Sequence, residues 1–137
     1  MLDRLAGNEA MKQHLQAALA GGKLAHSLLL CGEKGCGAGF AARCLAADYL
    51  YPQGGPAAEA VLAGQAPECL EVRGEGASGQ IRIERIRQVR EEVFHSALSA
   101  QGRGVLLYGA QNLNSASANA LLKVLEEPPE GVLFLLT

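Results

Sequence analysis

The sequence predicts an α/β fold, a parallel sheet whose strands are joined through helices by right-handed crossovers. Three observations carry this. Nearly unbroken apolar runs recur at 27–31, 105–108 and 132–136, and such runs suit strands buried on both faces of a parallel sheet. Segments with helical spacing of apolar residues lie between them. Of the 137 residues, 49% are hydrophobic and 17 are glycine, enough to bury one core and to form many tight turns.

The elements follow in order. Asn8 is expected to cap a helix with Met11, Leu15, Ala18 and Leu19 on one face, stopped by Gly21 and Gly22. The first strand, 27–31, runs into a glycine cluster of Gly32, Gly35, Gly37 and Gly39, and 40–50 reads as an Ala- and Leu-rich helix. Residues 51–66 read as a loop with one short helix near 57–63. The alternation at 68–72 fits an edge or half-exposed strand, and 74–79 is a flexible connector. Ile83, Ile86, Val89, Val93 and Phe94 mark an amphipathic helix. Its charged face carries Arg82, Arg85, Arg87, Arg90, Glu91 and Glu92, and the interleaving of signs fits a solvated surface. After Gly102-Arg103-Gly104 comes the strand 105–108. A helix over 115–127, with Leu121, Leu122 and Leu125 as core positions, is closed by Pro128-Pro129. The strand 132–136 follows.

Composition narrows the function. Lys plus Arg is 12 against 14 Asp plus Glu, for a net charge of −2, which excludes a nucleic-acid binder held by charge alone. Aromatics are 4% with no Trp, which argues against base-stacking platforms. No apolar run approaches the ~20 residues that span a bilayer, and the first residues lack the pattern of a signal peptide. A cytoplasmic location is expected. Cys31, Cys36, Cys44 and Cys69 form no CxxC pair. They are expected to be reduced thiols, with Cys31 and Cys44 buried, and to hold neither a disulfide framework nor zinc. His26 reads as a structural residue. His14 and His95 have no partner suggesting a metal.

The candidate site is the glycine cluster. A strand, a glycine loop and a helix are the setting of a phosphate-binding loop, G-x-x-x-x-G-K-[ST]. Gly32 and Gly37 stand at the glycine positions, Gly35 lies between them, Ala38 replaces the lysine, and Gly39 replaces the hydroxyl residue. Backbone N–H groups could still wrap a phosphate. The groups that hold the β/γ phosphates and Mg²⁺ are missing. Lys34 lies in the loop but out of register. The second apolar strand tests the same idea independently. In phosphate-loop ATPases it ends in an acidic pair, and here Tyr108 and Gly109 follow it. Two separate losses point to a degenerate nucleotide site with no catalytic residues, no metal ligands and no cofactor, although a glycine-rich turn that never meets a phosphate has the same pattern.

The stretch from Asn119-Ala120-Leu121-Leu122-Lys123 through Val124-Leu125-Glu126-Glu127-Pro128-Pro129 is more specific. It resembles the signature helix of bacterial clamp-loader subunits, the AAA+ proteins that place sliding clamps on DNA. Leu24-Ala25-His26-Ser27, Pro67-Glu68-Cys69-Leu70 and Ile81-Arg82-Ile83-Glu84-Arg85 are similar to other family segments in the same order. The resemblance implies a P-loop NTPase-like (AAA+) parallel sheet with flanking helices. Its strand order would be 5-1-4-3-2, truncated here after the fourth core strand, so the first strand would lie at an edge. One partial AAA+ domain over 1–137 is expected, with the lid and collar absent and Thr137 at or beside the sensor-1 position. With Ala38, Gly39, Tyr108 and Gly109, the chain is similar to the non-hydrolysing delta-prime branch of the family. That branch implies a scaffold in DNA polymerase III, with gamma/tau motor and delta subunits as partners, the sliding clamp and primed DNA reached through the assembly, and no membrane. The polar part of the helix, 115–123, would face a neighbour or the DNA passage. Unlike many relatives, 51–66 carries no cysteine, so no zinc module is expected. Two alternatives are an active clamp-loader ATPase with an unusual site and an AAA+ fold used only for protein binding.

Overall fold

In a computed structural model, residues 1–95 and 102–137 are described. Helices α1 (Glu9–Ala20), α2 (Ala38–Leu50), α3 (Pro56–Leu62), α4 (Ile83–His95) and α5 (Ser115–Glu126) alternate with strands β1 (Ser27–Leu29), β2 (Cys69–Val72), β3 (Arg103–Leu107) and β4 (Val132–Leu136). Short 3-10 turns lie at Leu2–Arg4 and Ala110–Asn112. The strands form one sheet in the order β1-β4-β3-β2, and every neighbouring pair is parallel. This is the order that the family resemblance implied for four strands.

Period-two alternation in the central strands divides the core into two layers. Leu106 of β3 and Leu133 and Leu135 of β4 pack with α2 and α3, where Ala42, Cys44, Leu45, Ala46, Leu50 and Val61 are buried. Val105, Leu107, Val132 and Phe134 point the other way, onto Ile86, Val89 and Val93 of α4 and Leu121 and Val124 of α5. Both faces of β3 and β4 are therefore dry, as their unbroken apolar sequences require.

Several expectations are corrected. β1 is shorter than 27–31 and is not buried on both faces, Leu29 being 59% exposed, while its place at the sheet edge is the one the resemblance implied. Cys31 is exposed, having left the sheet, whereas Cys44 is buried. Asn8 stands at the N-cap of α1, but its backbone is left-handed (φ 56°, ψ 44°) and its side chain makes no capping bond. An N-cap that accepts from the first turn has β-region backbone. Phe94 and Leu122 are 47% and 51% exposed, each at the border of its helix's apolar stripe and uncovered by any element among the described residues. Arg85 is not simply solvated: it donates to Glu71 O at 3.2 Å and lies 3.9 Å from a Glu92 carboxylate oxygen.

The start of α5 carries a signal that the sequence reading passed over. Asn114 Oδ1 accepts from Ser117 N at 2.8 Å, and Asn114 N donates to Ser117 Oγ at 2.9 Å. This reciprocal box satisfies two backbone donors. His26 is structural, as expected: Nε2 lies 3.1 Å from Leu125 O, and its carbonyl accepts from Phe134 N at 2.8 Å.

Candidate phosphate-loop site

The loop between β1 and α2 takes its shape from its glycines. Gly35 and Gly37 lie at φ 90° and 88°, a left-handed region that is costly for other residues. Gly37 is also the N-cap of α2 and offers no side chain, so the N–H groups of the first turn have no side-chain partner. A Cβ at Gly32 would run into Cys36 Sγ. The expected residues Gly32, Gly35, Gly37, Ala38 and Gly39 thus form one continuous loop and helix start.

Beside it lies a cavity of about 570 Å³, into which Gly32, Gly37 and Ala38 face together with Cys31, Cys36 and Phe40. The opposite wall is the N-terminal segment from Arg4 to Asn8 with Met11. Lys12 Nζ holds this segment by donating to Leu5 O at 2.9 Å. Among the described residues, Arg4 is the one cationic residue lining the cavity, and its guanidinium is engaged by both carboxylate oxygens of Glu59. Lys34 is exposed and is not among the lining residues.

The other side of the α2 start is occupied by a side-chain cluster. Glu71, on edge strand β2, accepts from Arg43 Nε at 2.8 Å and Nη2 at 2.9 Å, and from Tyr108 OH at 3.0 Å. Arg43 Nε also donates to Tyr108 OH at 3.1 Å, and Nη1 to Leu62 O at 3.2 Å. Arg73 lies over the Tyr108 ring, 3.8 Å from its centroid, and donates to Glu71 at 3.3 Å. Burial alone pushes the Glu71 carboxyl up. Hydrogen bonds from Arg43 and Tyr108, with the charges of Arg43 and Arg73, outweigh that and hold it below the ordinary carboxylate value. Burial pushes the Tyr108 phenol up to about 12. It likewise pushes the Cys44 and Cys69 thiols up to about 11 and 12, so neither is a ready nucleophile.

Gly39 and Tyr108, the residues expected to stand in for the hydroxyl and acidic groups of an ATPase, lie near one another. The Tyr108 ring lies where a side chain on Gly39 would go: a Cβ there would stand 3.1 and 3.3 Å from Tyr108 Cε1 and Cδ1. Gly109 has φ 81° and begins a 3-10 turn, and its N–H donates to Thr137 O at 2.9 Å. Among the described residues, no three His, Cys, Asp or Glu side chains group as metal ligands. Among them, no helix is long and apolar enough to cross a membrane.

Sequence reading missed Arg43, Glu71, Arg73 and Arg4. A signal existed for Arg43. It and Asp48 are the two charged residues of an otherwise Ala- and Leu-rich helix, and both are paired. Asp48 accepts from the amino terminus at 2.5 Å and from Leu2 N at 2.9 Å. Glu71 and Arg73 lie on an alternating strand, where charge alone marks nothing.

Comparisons with known proteins agree with this architecture. A family model described as "DNA polymerase III, delta subunit" matches residues 7–137. The DNA polymerase III subunit gamma/tau of Mycobacterium tuberculosis H37Rv is 31% identical over 139 aligned residues, which cover 96% of this chain and 24% of that protein. The subunit delta′ of Yersinia pestis is 40% identical over 76 residues, covering 56% of this chain and 22% of that one. The chain thus spans about a quarter of the length of these relatives. A gamma subunit-related protein of Thermotoga maritima shares the fold with a TM-score of 0.60 at 23% identity, over 89% of this chain and 38% of that one. The match over nearly the whole chain, joined to the 1-4-3-2 parallel sheet and the glycine loop at its first strand, makes this chain a member of the DNA polymerase III delta-subunit family of clamp-loader proteins.

Proposed function

We propose that this chain serves as a non-catalytic, delta-prime-type scaffold of the bacterial DNA polymerase III clamp loader, positioning ATPase subunits that load the sliding clamp onto primed DNA. The observation that carries the reading is the Tyr108 ring beside Gly39, so close that a Cβ at residue 39 would stand 3.1 Å from Cε1. A magnesium–nucleotide centre needs a hydroxyl at the first position and a carboxylate at the second. Here the first has no side chain and the second presents an aromatic ring. Ala38 supplies no ammonium, and the cationic side chain of the cavity, Arg4, is already paired with Glu59. Without groups to neutralise developing charge, several kcal/mol of barrier lowering are missing. The residues present do not fit the metal, and no hydrolytic step is assigned to this chain. Gly32, Gly35, Gly37, Ala38 and Gly39 remain as a degenerate phosphate loop that needs no cofactor. One partial AAA+ domain over 1–137 belongs to the same proposal.

The partners that follow are the gamma/tau and delta subunits, with the clamp and primed DNA met through the assembly. The test mixes the chain, within its full-length protein, with gamma/tau and delta. Co-elution as one complex is expected. The purified protein alone is expected to show no Mg²⁺-dependent ATP turnover above background. Turnover that a Gly37→Val substitution abolishes would overturn the reading, and so would failure to enter the complex.

A further inference from the structure

We infer that Tyr108 is a built-in plug: its ring fills the space beside residue 39 that a hydroxyl side chain and a divalent cation would need, and a clamp of three charged side chains keeps it there. This rests on the scaffold reading and adds that inactivity is enforced by packing as well as by missing groups.

Gly39 is the second residue of α2, and its φ is not in the left-handed region, so the backbone there does not call for glycine. The ring does. A Cβ would lie 3.1 Å from Cε1, closer than ordinary carbon contact at about 3.5–4.0 Å. The ring has little freedom to retreat. Its hydroxyl is fixed between Glu71 Oε1 at 3.0 Å and Arg43 Nε at 3.1 Å. Arg73 is stacked on it, 3.8 Å from the centroid. The clamp is itself anchored in four elements: Arg43 rises from α2 and bonds to Leu62 O at the end of α3, while Arg85 of α4 bonds to Glu71 O on β2. Residues 39 and 108 are therefore a coupled pair, and a side chain at 39 is tolerated only when the ring at 108 is gone.

Two experiments test this. In the first, Gly39→Ala is made in the native chain and in a Tyr108→Ala background, and Tm is measured. With the ring present, Gly39→Ala should lower Tm by about 3–6 °C. With the ring removed, the same change should raise Tm by about 2–3 °C, because alanine is the better helix former. A rise in both backgrounds, or a fall in both, overturns the plug. In the second, binding of Mg²⁺–ATP is titrated to Ala38→Lys/Gly39→Ser and to the same pair with Tyr108→Ala. The triple variant should bind at least about tenfold tighter, the factor that a charge-assisted contact is worth. Equal affinity, or no binding by either, removes the ring as a barrier to ligand. The scaffold reading survives that result, since the native chain still lacks the lysine. Mg²⁺-dependent hydrolysis by the native chain would remove both readings, whereas a failed Tm test would remove the plug alone.

Discussion

Replacing Glu71 by glutamine should unsettle the entire cluster beside the phosphate loop. The carboxylate accepts two bonds from Arg43, one from Tyr108 and one from Arg73. A glutamine keeps one acceptor and turns an NH₂ donor toward guanidinium donors. Breaking a fully buried ion pair from one side costs about 3–5 kcal/mol. Here the Arg43 and Glu71 side chains keep 24% and 21% of their exposure, so water recovers part of that, and a loss of about 2–3 kcal/mol follows. With about 2.1 cal/mol/K of unfolding entropy per residue, the 137-residue chain should lose roughly 9 °C in Tm. The pH dependence carries a sign. Glu71 is held below its ordinary value, so the unfolded chain binds its proton more readily, and the stabilisation is complete above the unfolded carboxyl value of about 4.3. It is lost as pH falls through the lower folded value. The Tm gap between Glu71→Gln and the native chain, read by circular dichroism, should be full at pH 7 and should shrink below about pH 4. A gap under about 2 °C at pH 7, or one that stays constant to pH 3, would refute the reasoning.

Other outcomes can be checked alongside. Asn114→Ala removes the acceptor for Ser117 N and should cost about 1 kcal/mol, read as a shift in urea midpoint with unchanged slope, whereas Asn8→Ala should shift it far less, because Asn8 makes no capping bond. Amide exchange at 27–29 should be faster than at 103–107, because β1 lies at the sheet edge and β3 is paired on both sides. Equal protection would contradict the edge assignment or reveal self-association through β1, which light scattering distinguishes.

How much of this was legible before folding depends on the range of the interactions. β3 and β4 were readable because a central parallel strand must be apolar on both faces, and Val105-Leu106-Leu107 and Val132 to Leu136 are. β1 has the same composition, yet Leu29 is largely exposed. Strand order decides which apolar run is covered, and order is a property of the whole chain. The loop was readable because Gly32, Gly35, Gly37 and Gly39 act through local backbone freedom within eight residues. The stop of α1 at Gly21 and the end of α5 before Pro128-Pro129 were local as well. Asn8 was placed rightly at the N-cap, but with left-handed backbone its side chain reaches Met11 Sδ at 3.9 Å and caps no backbone N–H. Asn114, three residues before Ser117, carried the real box.

The sequence by itself determined the α/β class, the glycine loop and the residues Ala38, Gly39, Tyr108 and Gly109 on which the functional reading turns, since these follow from residue identity at short spacing. Only the tertiary structure decided which side chains gather beside that loop. Arg43 and Glu71 are 28 residues apart, and Arg43 and Tyr108 are 65 apart. No local pattern couples them, because a contact between α2, β2 and the end of β3 exists only once the sheet has placed all three side by side.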